Sequence, residues 1–393
     1  MDNRHGALRP GLWLCAGALA ARALAGPVIS WVPPYSVADC KTKVQRDFGG
    51  GIGMKDGLTY LALQWWVTDG PSIKQWGDVA GGGFDDNVKF FRDWGKANGV
   101  KVSLCVVNHV GGWNWNEARR SFVDNRPAFV KSLVDEVDRL GLDGVELDLE
   151  GPTTPSANDS VQYIQLVRDL GAALNPVGKT VTVASFAAQY NAPNWKWWPE
   201  LMKTAAAVTS MGYDEAGMNS PAGWKYSEQK KRATQPWKLM IGMFGNSASW
   251  QGNTAAQHLD YVLADGQMGL GIWDAALGEA GWESADTWKK IGKIRANTPS
   301  ALARPGPVAA NTLSFLRLRH AAEGLFADLT LPARGDVRVR ILDMQGKEVA
   351  QPFHGMAQGR MSVPVAAPGA SGAWLITAQV GNSVATLPLE SVR

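Results

Sequence analysis

Apolar residues recur in short runs between Val28 and Trp273, and the longer stretches between the runs repeat their apolar positions at helical spacing. The short runs fall near residues 28–33, 59–65, 101–107, 143–150, 180–186, 206–213, 238–243 and 269–274, lengths that suit buried strands. Helices are clearest at 86–98, 126–140 and 159–174. The second has Pro127 at its start, followed by Phe129, Val130, Leu133, Val134, Val137 and Leu140 on one face. Eight strands alternating with helices over about 250 residues predict an α/β fold, a (β/α)8 TIM barrel spanning residues 26–295. In such a barrel the active site gathers at the C-terminal ends of the strands.

The pattern changes near Ala296. Residues 296–311 are rich in Pro, Ala and Gly and read as a linker. From 312 to 393 come short alternating segments, such as Val337-Arg338-Val339-Arg340-Ile341 and Ala373 to Val380, with turns at 344–347 and 381–383. That is the pattern of a small all-β sandwich.

One strand breaks the apolar rule. Residues 143–150 read Asp143-Gly144-Val145-Glu146-Leu147-Asp148-Leu149-Glu150. Strand side chains alternate between faces, so Glu146, Asp148 and Glu150 share one face and Val145, Leu147 and Leu149 the other. Carboxylates spaced by roughly 6 to 7 Å on one surface cannot all ionise freely, and a carboxyl kept protonated near neutral pH is what a general acid requires. A calcium site would place its acids in a Gly- and Asn-rich turn rather than among Val and Leu. The strand is fourth in the series, so its acidic face points into the barrel and Glu150 lies highest, nearest a substrate. Asp143 has the opposite parity and reads as structural.

Composition narrows the function classes. A formal net charge of +3 over 393 residues favours neither nucleic acid nor an anionic membrane as partner. The five His, at 5, 109, 258, 320 and 354, show no metal-ligand spacing, and no phosphate-binding glycine loop or G-x-S-x-G element occurs, so no cofactor or metal is expected. Of 18 Trp, all but Trp13 and Trp374 lie between Trp31 and Trp288, a surplus suited both to a large core and to platforms for sugar rings. Trp66, Trp113 and their neighbours Trp65, Trp115, Trp195, Trp197 and Trp198 fall at predicted strand ends and loops.

The N-terminus carries Arg4 and Arg9, an apolar run from Leu12 to Ala21, and Ala23-Leu24-Ala25 before Gly26-Pro27. This resembles a secretory signal peptide cleaved after Ala25, with a run too short to span a bilayer. The expectation is a secreted monomer, extracellular or periplasmic, that retains Cys40 and Cys105. These two could pair, and a buried thiol at Cys105 fits its apolar strand equally well.

The octapeptide resembles the D-x-x-D-x-D-x-E signature of glycoside hydrolase family 18, the chitinases and endo-β-N-acetylglucosaminidases. Met211-Gly212-Tyr213-Asp214 looks like that family's M-x-Y-D element, Trp273 like its subsite-floor tryptophan, and Lys101 to Val107 with Gly111-Gly112-Trp113 is loosely similar to its third-strand region. Two departures stand out: Glu146 replaces the family's middle Asp, and the S-x-G-G of strand three is absent or displaced around Val107 to Val110. The resemblance implies a secreted, retaining, substrate-assisted hydrolase acting on chitin. Glu150 would be acid and base, Asp148 would hold the acetamido N–H, Tyr213 would position its carbonyl and Glu146 would tune Asp148. Trp273, Met211, Asp214, Trp113 and Trp66 would contact the polysaccharide. The alternatives are a silent chitin-binding lectin on the same barrel, or an endo-β-N-acetylglucosaminidase acting on N-glycans; silent relatives typically lose the terminal acid, which is present here. The C-terminal tail also resembles type IX secretion sorting domains, through Ile341 to Val349 and Gly372 to Ile376, and reads equally well as a passive accessory module.

Overall fold

All eight runs form strands, and apart from the acidic face of the fourth they are apolar on both faces because each is covered twice, by the barrel interior and by helices. The structure, a computed structural model, describes residues 26–77, 79, 83–189, 191–275, 281–296, 316–321, 324–343, 348–366, 373–380 and 383–390. The expected leader 1–25, and the linker 296–311 apart from Ala296, lie outside the described residues. Contacts divide the chain into two compact units, residues 1–304 and 305–393.

In the first unit the strands are β1 (Val28–Val32), β2 (Tyr60–Asp69), β3 (Ser72–Gln75), β4 (Lys101–Val107), β5 (Gly144–Asp148), β6 (Thr180–Ser185), β7 (Ala207–Ser210), β8 (Leu239–Phe244), β9 (Ser249–Trp250), β10 (Asn253–Thr254) and β11 (Gly269–Trp273). β1, β2, β4, β5, β6, β7, β8 and β11 pair in parallel in that order, and β11 returns to β1, closing an eight-strand barrel. The acidic strand, fourth in the barrel, is β5. Two hairpins went unanticipated: β2 runs past its apolar stretch, turns at Gly70 (φ 62°) and pairs antiparallel with β3, and β9 pairs antiparallel with β10.

The helices are α1 (Val37–Val44), α2 (Met54–Gly57), α3 (Phe84–Asn98), α4 (Trp115–Phe122), α5 (Arg126–Leu140), α6 (Ala157–Leu174), α7 (Trp198–Thr204), α8 (Tyr226–Arg232), α9 (Ala255–Asp265) and α10 (Ala285–Ala296). α5 buries Phe129, Leu133, Val137 and Leu140, the face its periodicity foretold. α6 begins at a capping box in which Ser156 and Asp159 bond each other's backbone N–H, and Asp159 also takes Arg119 of α4 as an ion pair. No helix among the described residues is long and apolar enough to cross a membrane.

The barrel unit has two apolar layers. Outward residues such as Val145, Leu147 and Leu149 join the helices in a large cluster. Inward residues, among them Ile29, Trp31, Tyr60, Ala62, Cys105, Val107 and Met240, fill the lumen. Gly271 makes room there: a Cβ would lie 2.4 Å from Thr209 Cγ2 and 3.1 Å from the Trp31 ring.

The second unit is all β, with β12 (Leu316–Ala321), β13 (Gly324–Asp343), β14 (Glu348–Val365), β15 (Ala373–Val380) and β16 (Ser383–Glu390) hydrogen-bonded in one antiparallel sheet. β13 pairs with β14 along most of its length, with β12 through its first half and with β15 through its second. Register shifts between Leu331 and Gly335, and again between Val339 and Leu342, interrupt the long hairpin. The predicted alternation holds: Val337, Val339 and Ile341 enter one buried cluster while Arg338 and Arg340 lie between them on the other face.

Candidate active site

The three acids of β5 occupy the lumen in order of height. Glu146 is fully buried beside Cys105 and Thr182 on the flanking strands, Asp148 is 3% exposed, and Glu150, two residues beyond the strand, is half-buried at the mouth. Gly144 starts β5 where a Cβ would meet the Thr180 carbonyl at 2.0 Å, so the strand enters against its neighbour only with glycine there.

β2 supplies the partner that holds Asp148, and it bulges beside it. Leu63 pairs with Leu104 and Trp66 with Val106, so Gln64 and Trp65 together face a single residue, Cys105. Gln64 keeps the inward parity of Tyr60 and Ala62, and its Nε2 donates to Asp148 Oδ2 at 2.7 Å. The extra residue turns Trp66 outward beside Trp65 into the helix layer. Trp66 therefore departs from the expected substrate contact: it is 2% exposed, stacks with Trp65 and Phe84, and donates its indole N–H to Glu136 of α5 at 3.2 Å. A single inserted residue reverses side-chain parity, and no alternation rule can see it.

The carboxyls are electrically coupled. Burial raises Asp148 to about 6, opposed by hydrogen bonding from the Gln64 amide and then from Glu150. Glu150 is pushed well above the usual carboxyl range by burial, then by the Asp148 charge, then by the hydrogen bond between them. Glu146 is driven up chiefly by burial, with Thr182 opposing and the Asp148 charge adding. Two carboxyls that share one proton give an acid at the mouth above a carboxylate.

Aromatic rings surround this pair. Tyr213, after β7, meets Trp31 edge-on at 6.4 Å and Trp273 at 6.1 Å, and Trp31 lies 6.0 Å from Trp273. Burial raises the Tyr213 phenol well above its usual range and the charges of Asp148, Glu150 and Glu146 add to it, which keeps the hydroxyl protonated as a donor. The Trp273–Asp274 peptide is cis.

Of the other expected site residues, Met211 is 7% exposed beside Tyr213 and Asp214 is exposed. Trp113 is 36% exposed and joins Trp76 and His109 in a strip at the barrel mouth, with ring centroids 5.1 and 5.3 Å apart. Trp65, Trp115, Trp197 and Trp198 are buried, and Trp195 is partly buried with Arg232 stacked over it. Asp143 accepts from Val102 N at 2.9 Å, outside the lumen, as its parity implied. Cys40 and Cys105 are separate buried thiols.

The sequence reading passed over Gln64, Trp31 and Asn108. A lone Gln within Leu61-Ala62-Leu63-Gln64-Trp65-Trp66 is a polar residue in a buried run, and that signal was there to be used.

The profile of Glycosyl hydrolases family 18 matches residues 54–299. The chain belongs to family 18. Over 157 residues, 37% of its length, it is 27% identical to an endochitinase of Manduca sexta, of which it covers 28%. The chain thus spans under a third of that relative. Among solved structures, catalytic domain 2 of the Group II chitinase of Ostrinia furnacalis superposes with a TM-score of 0.52 at 16% identity, over 70% of this chain and 97% of that one. The Bacillus megaterium spore cortex-lytic enzyme gives 0.51 at 11% identity, over 70% and 75%. At these identities the superpositions speak for the barrel fold. Within this family 18 barrel Glu146 stands at the altered position of the signature, and Asn108 occupies the end of the third barrel strand.

Proposed function

We propose that this family 18 member is a chitinase-like hydrolase cleaving β-1,4-linked N-acetylglucosamine polymers with retention of configuration. The observation that carries the reading is the Asp148 and Glu150 pair, one carboxyl at the mouth and one buried beneath it whose charge pushes the upper one's pKa up. Asp148 is too deeply buried to reach an anomeric carbon, so it cannot serve as the second carboxylate of the common two-carboxylate scheme. It can accept a substrate N–H that enters the lumen.

In this scheme Glu150 protonates the glycosidic oxygen. Asp148 accepts the acetamido N–H while Tyr213 donates to the acetamido oxygen, which attacks the anomeric carbon and forms a cyclic oxazolinium. Glu150, now ionised, takes a proton from the incoming water, which opens the ring with a second inversion. Trp273, partly buried at the end of β11 and backed by the buried Trp31, gives the sugar an apolar floor.

The test is turnover of chitin oligomers and of a high-mannose glycoprotein by the purified chain, with Glu150→Gln alongside. We expect N-acetylglucosamine oligomers from chitin and a loss of about 10²- to 10⁴-fold in kcat for the variant, with binding kept. Binding without turnover by the unsubstituted chain sinks the hydrolase reading in favour of a lectin. Cleavage of the glycoprotein alone points to the endo-β-N-acetylglucosaminidase.

The leader-like residues 1–25 support export as part of the same reading. A monomer suits an enzyme whose residues all come from one barrel. The C-terminal sheet then serves sorting or remains an accessory.

A further inference from the structure

Hydrogen bonding between β4 and β5 stops at the Val107 and Asp148 pair, so the peptide groups of Glu150 have no neighbouring strand to bond. The Asn108 side chain stands in for it. Its Oδ1 accepts from Glu150 N at 2.7 Å, and its Nδ2 donates to Glu150 O at 2.6 Å. The same Nδ2 donates to the carbonyl of Asn114, the N-cap of α4, at 2.8 Å. Asn108 is fully buried. The next residue is fixed as well: at Gly151 a Cβ would lie 2.9 Å from Trp115 Cβ, at the first turn of α4.

We propose that Asn108 is the positioning residue of the acid, clamping the Glu150 peptide from both sides and locking it to the start of α4. Three features support this beyond ordinary satisfaction of buried backbone. A side-chain amide offers an acceptor and a donor on two separate atoms, so Asp, the single oxygen of Ser, or Leu at this place cannot reproduce the pair of bonds. The clamped residue lies outside the strand, where backbone freedom would otherwise let its carboxyl drift from Asp148. And the clamp reaches α4 across the loop 109–113, which carries His109 and Trp113 of the aromatic strip, so it joins the acid and that strip to one anchor.

The proposal rests on Glu150 being the acid of the proposed reaction, and the experiment separates the two. Asn108→Leu and Asn108→Asp are compared with the unsubstituted full-length chain on a chromogenic chito-oligosaccharide. Because misplacing a reacting group by about 1 Å costs on the order of 10²-fold, we expect kcat for Asn108→Leu to fall about 100-fold. KM should stay within about threefold, since the sugar floor is untouched. Asn108→Asp keeps the acceptor, loses the donor and adds a charge near Glu150, so its basic pH limb should move upward. A purely structural role would lower thermal stability but leave kcat and the pH profile in place, and that outcome overturns the proposal. So does a loss confined to KM.

If the unsubstituted chain does not cleave, the reaction reading falls. The clamp is then judged by hydrogen exchange at the Glu150 amide, which is protected in the unsubstituted chain and should be fast in Asn108→Leu; equal protection overturns it. Should Asn108→Leu fail to fold, Asn108→Asp carries the same comparisons.

Discussion

Gln64 donates its side-chain amide to Asp148 across 2.7 Å, and it sits on the lumen face of β2 in step with Tyr60 and Ala62, just before the strand bulges. Two strands of the barrel thus meet at one acid. The bond favours the ionised form of Asp148 and partly offsets the upward push of burial, which leaves its pKa at about 6.

Replacing the donor should therefore show in pH dependence. In Gln64→Leu the pKa of Asp148 rises, and the acid limb of the kcat profile moves from near 6 toward neutral pH. Rates on a chromogenic chito-oligosaccharide from pH 4 to 9 give the limb directly. A limb that stays in place would show that Gln64 does not govern Asp148.

Glu146 has the opposite meaning for stability. Its folded pKa is raised by burial, so the folded state holds the proton more tightly than the unfolded chain does. Stability from this group is full below the ordinary carboxyl range and is lost as pH rises through the raised value. Glu146→Gln removes that loss, so the variant should melt higher than the unsubstituted chain at pH 8, by about 2 °C or more, with the gap closing at pH 4 to 5. Thermal melts at the two pH values decide it, and a gap independent of pH counts against the assignment.

Tyr213 separates chemistry from scaffold. Tyr213→Phe keeps the ring that packs against Trp31 and Trp273 and deletes only the hydroxyl. The expected result is a fall in kcat of about 10²- to 10³-fold, as for loss of one preorganised donor, with KM changed far less. Trp273→Ala should do the reverse and raise KM chiefly. Steady-state kinetics on both variants make the contrast, and a Tyr213→Phe effect confined to KM would contradict the role.

Acid stability should trace to His258. The imidazole is fully buried, lies flat on Trp250 at 4.0 Å with planes 3° apart, and bonds the Trp250 carbonyl at 3.0 Å and the Tyr226 hydroxyl at 3.1 Å. A carbonyl can only accept, so the proton sits on Nε2 and Tyr226 donates to Nδ1. Burial lowers the His258 pKa below its usual 6.5. The unfolded chain binds this proton first, so stability present at neutral pH is lost as pH falls below about 6.5. Melting temperature between pH 7.5 and 5 should fall more steeply for the unsubstituted chain than for His258→Asn; parallel slopes refute the link.

Most of the fold was legible because its cues are local. Short apolar runs and helical spacing placed eight strands and the longer helices, and Pro127 marked a helix start that the structure keeps. The site was legible where it followed the same arithmetic: Glu146, Asp148 and Glu150 face the lumen because strand parity puts them there. Trp66 went astray for a physical reason. Its direction depends on how many residues of β2 lie opposite Cys105, a property of the pairing between strands and invisible in either strand alone.

The sequence by itself determined the order of strands, the acidic face and the family, since all three rest on residue type at fixed short spacing. The tertiary structure alone decided which groups touch the acids. Gln64 is 84 residues from Asp148 and Asn108 is 42 from Glu150, and only the pairing and curvature of β2, β4 and β5 bring them within hydrogen-bond reach. Spacing along a chain fixes which way a side chain points on its own strand. What that side chain meets is set by neighbours whose register no single strand encodes.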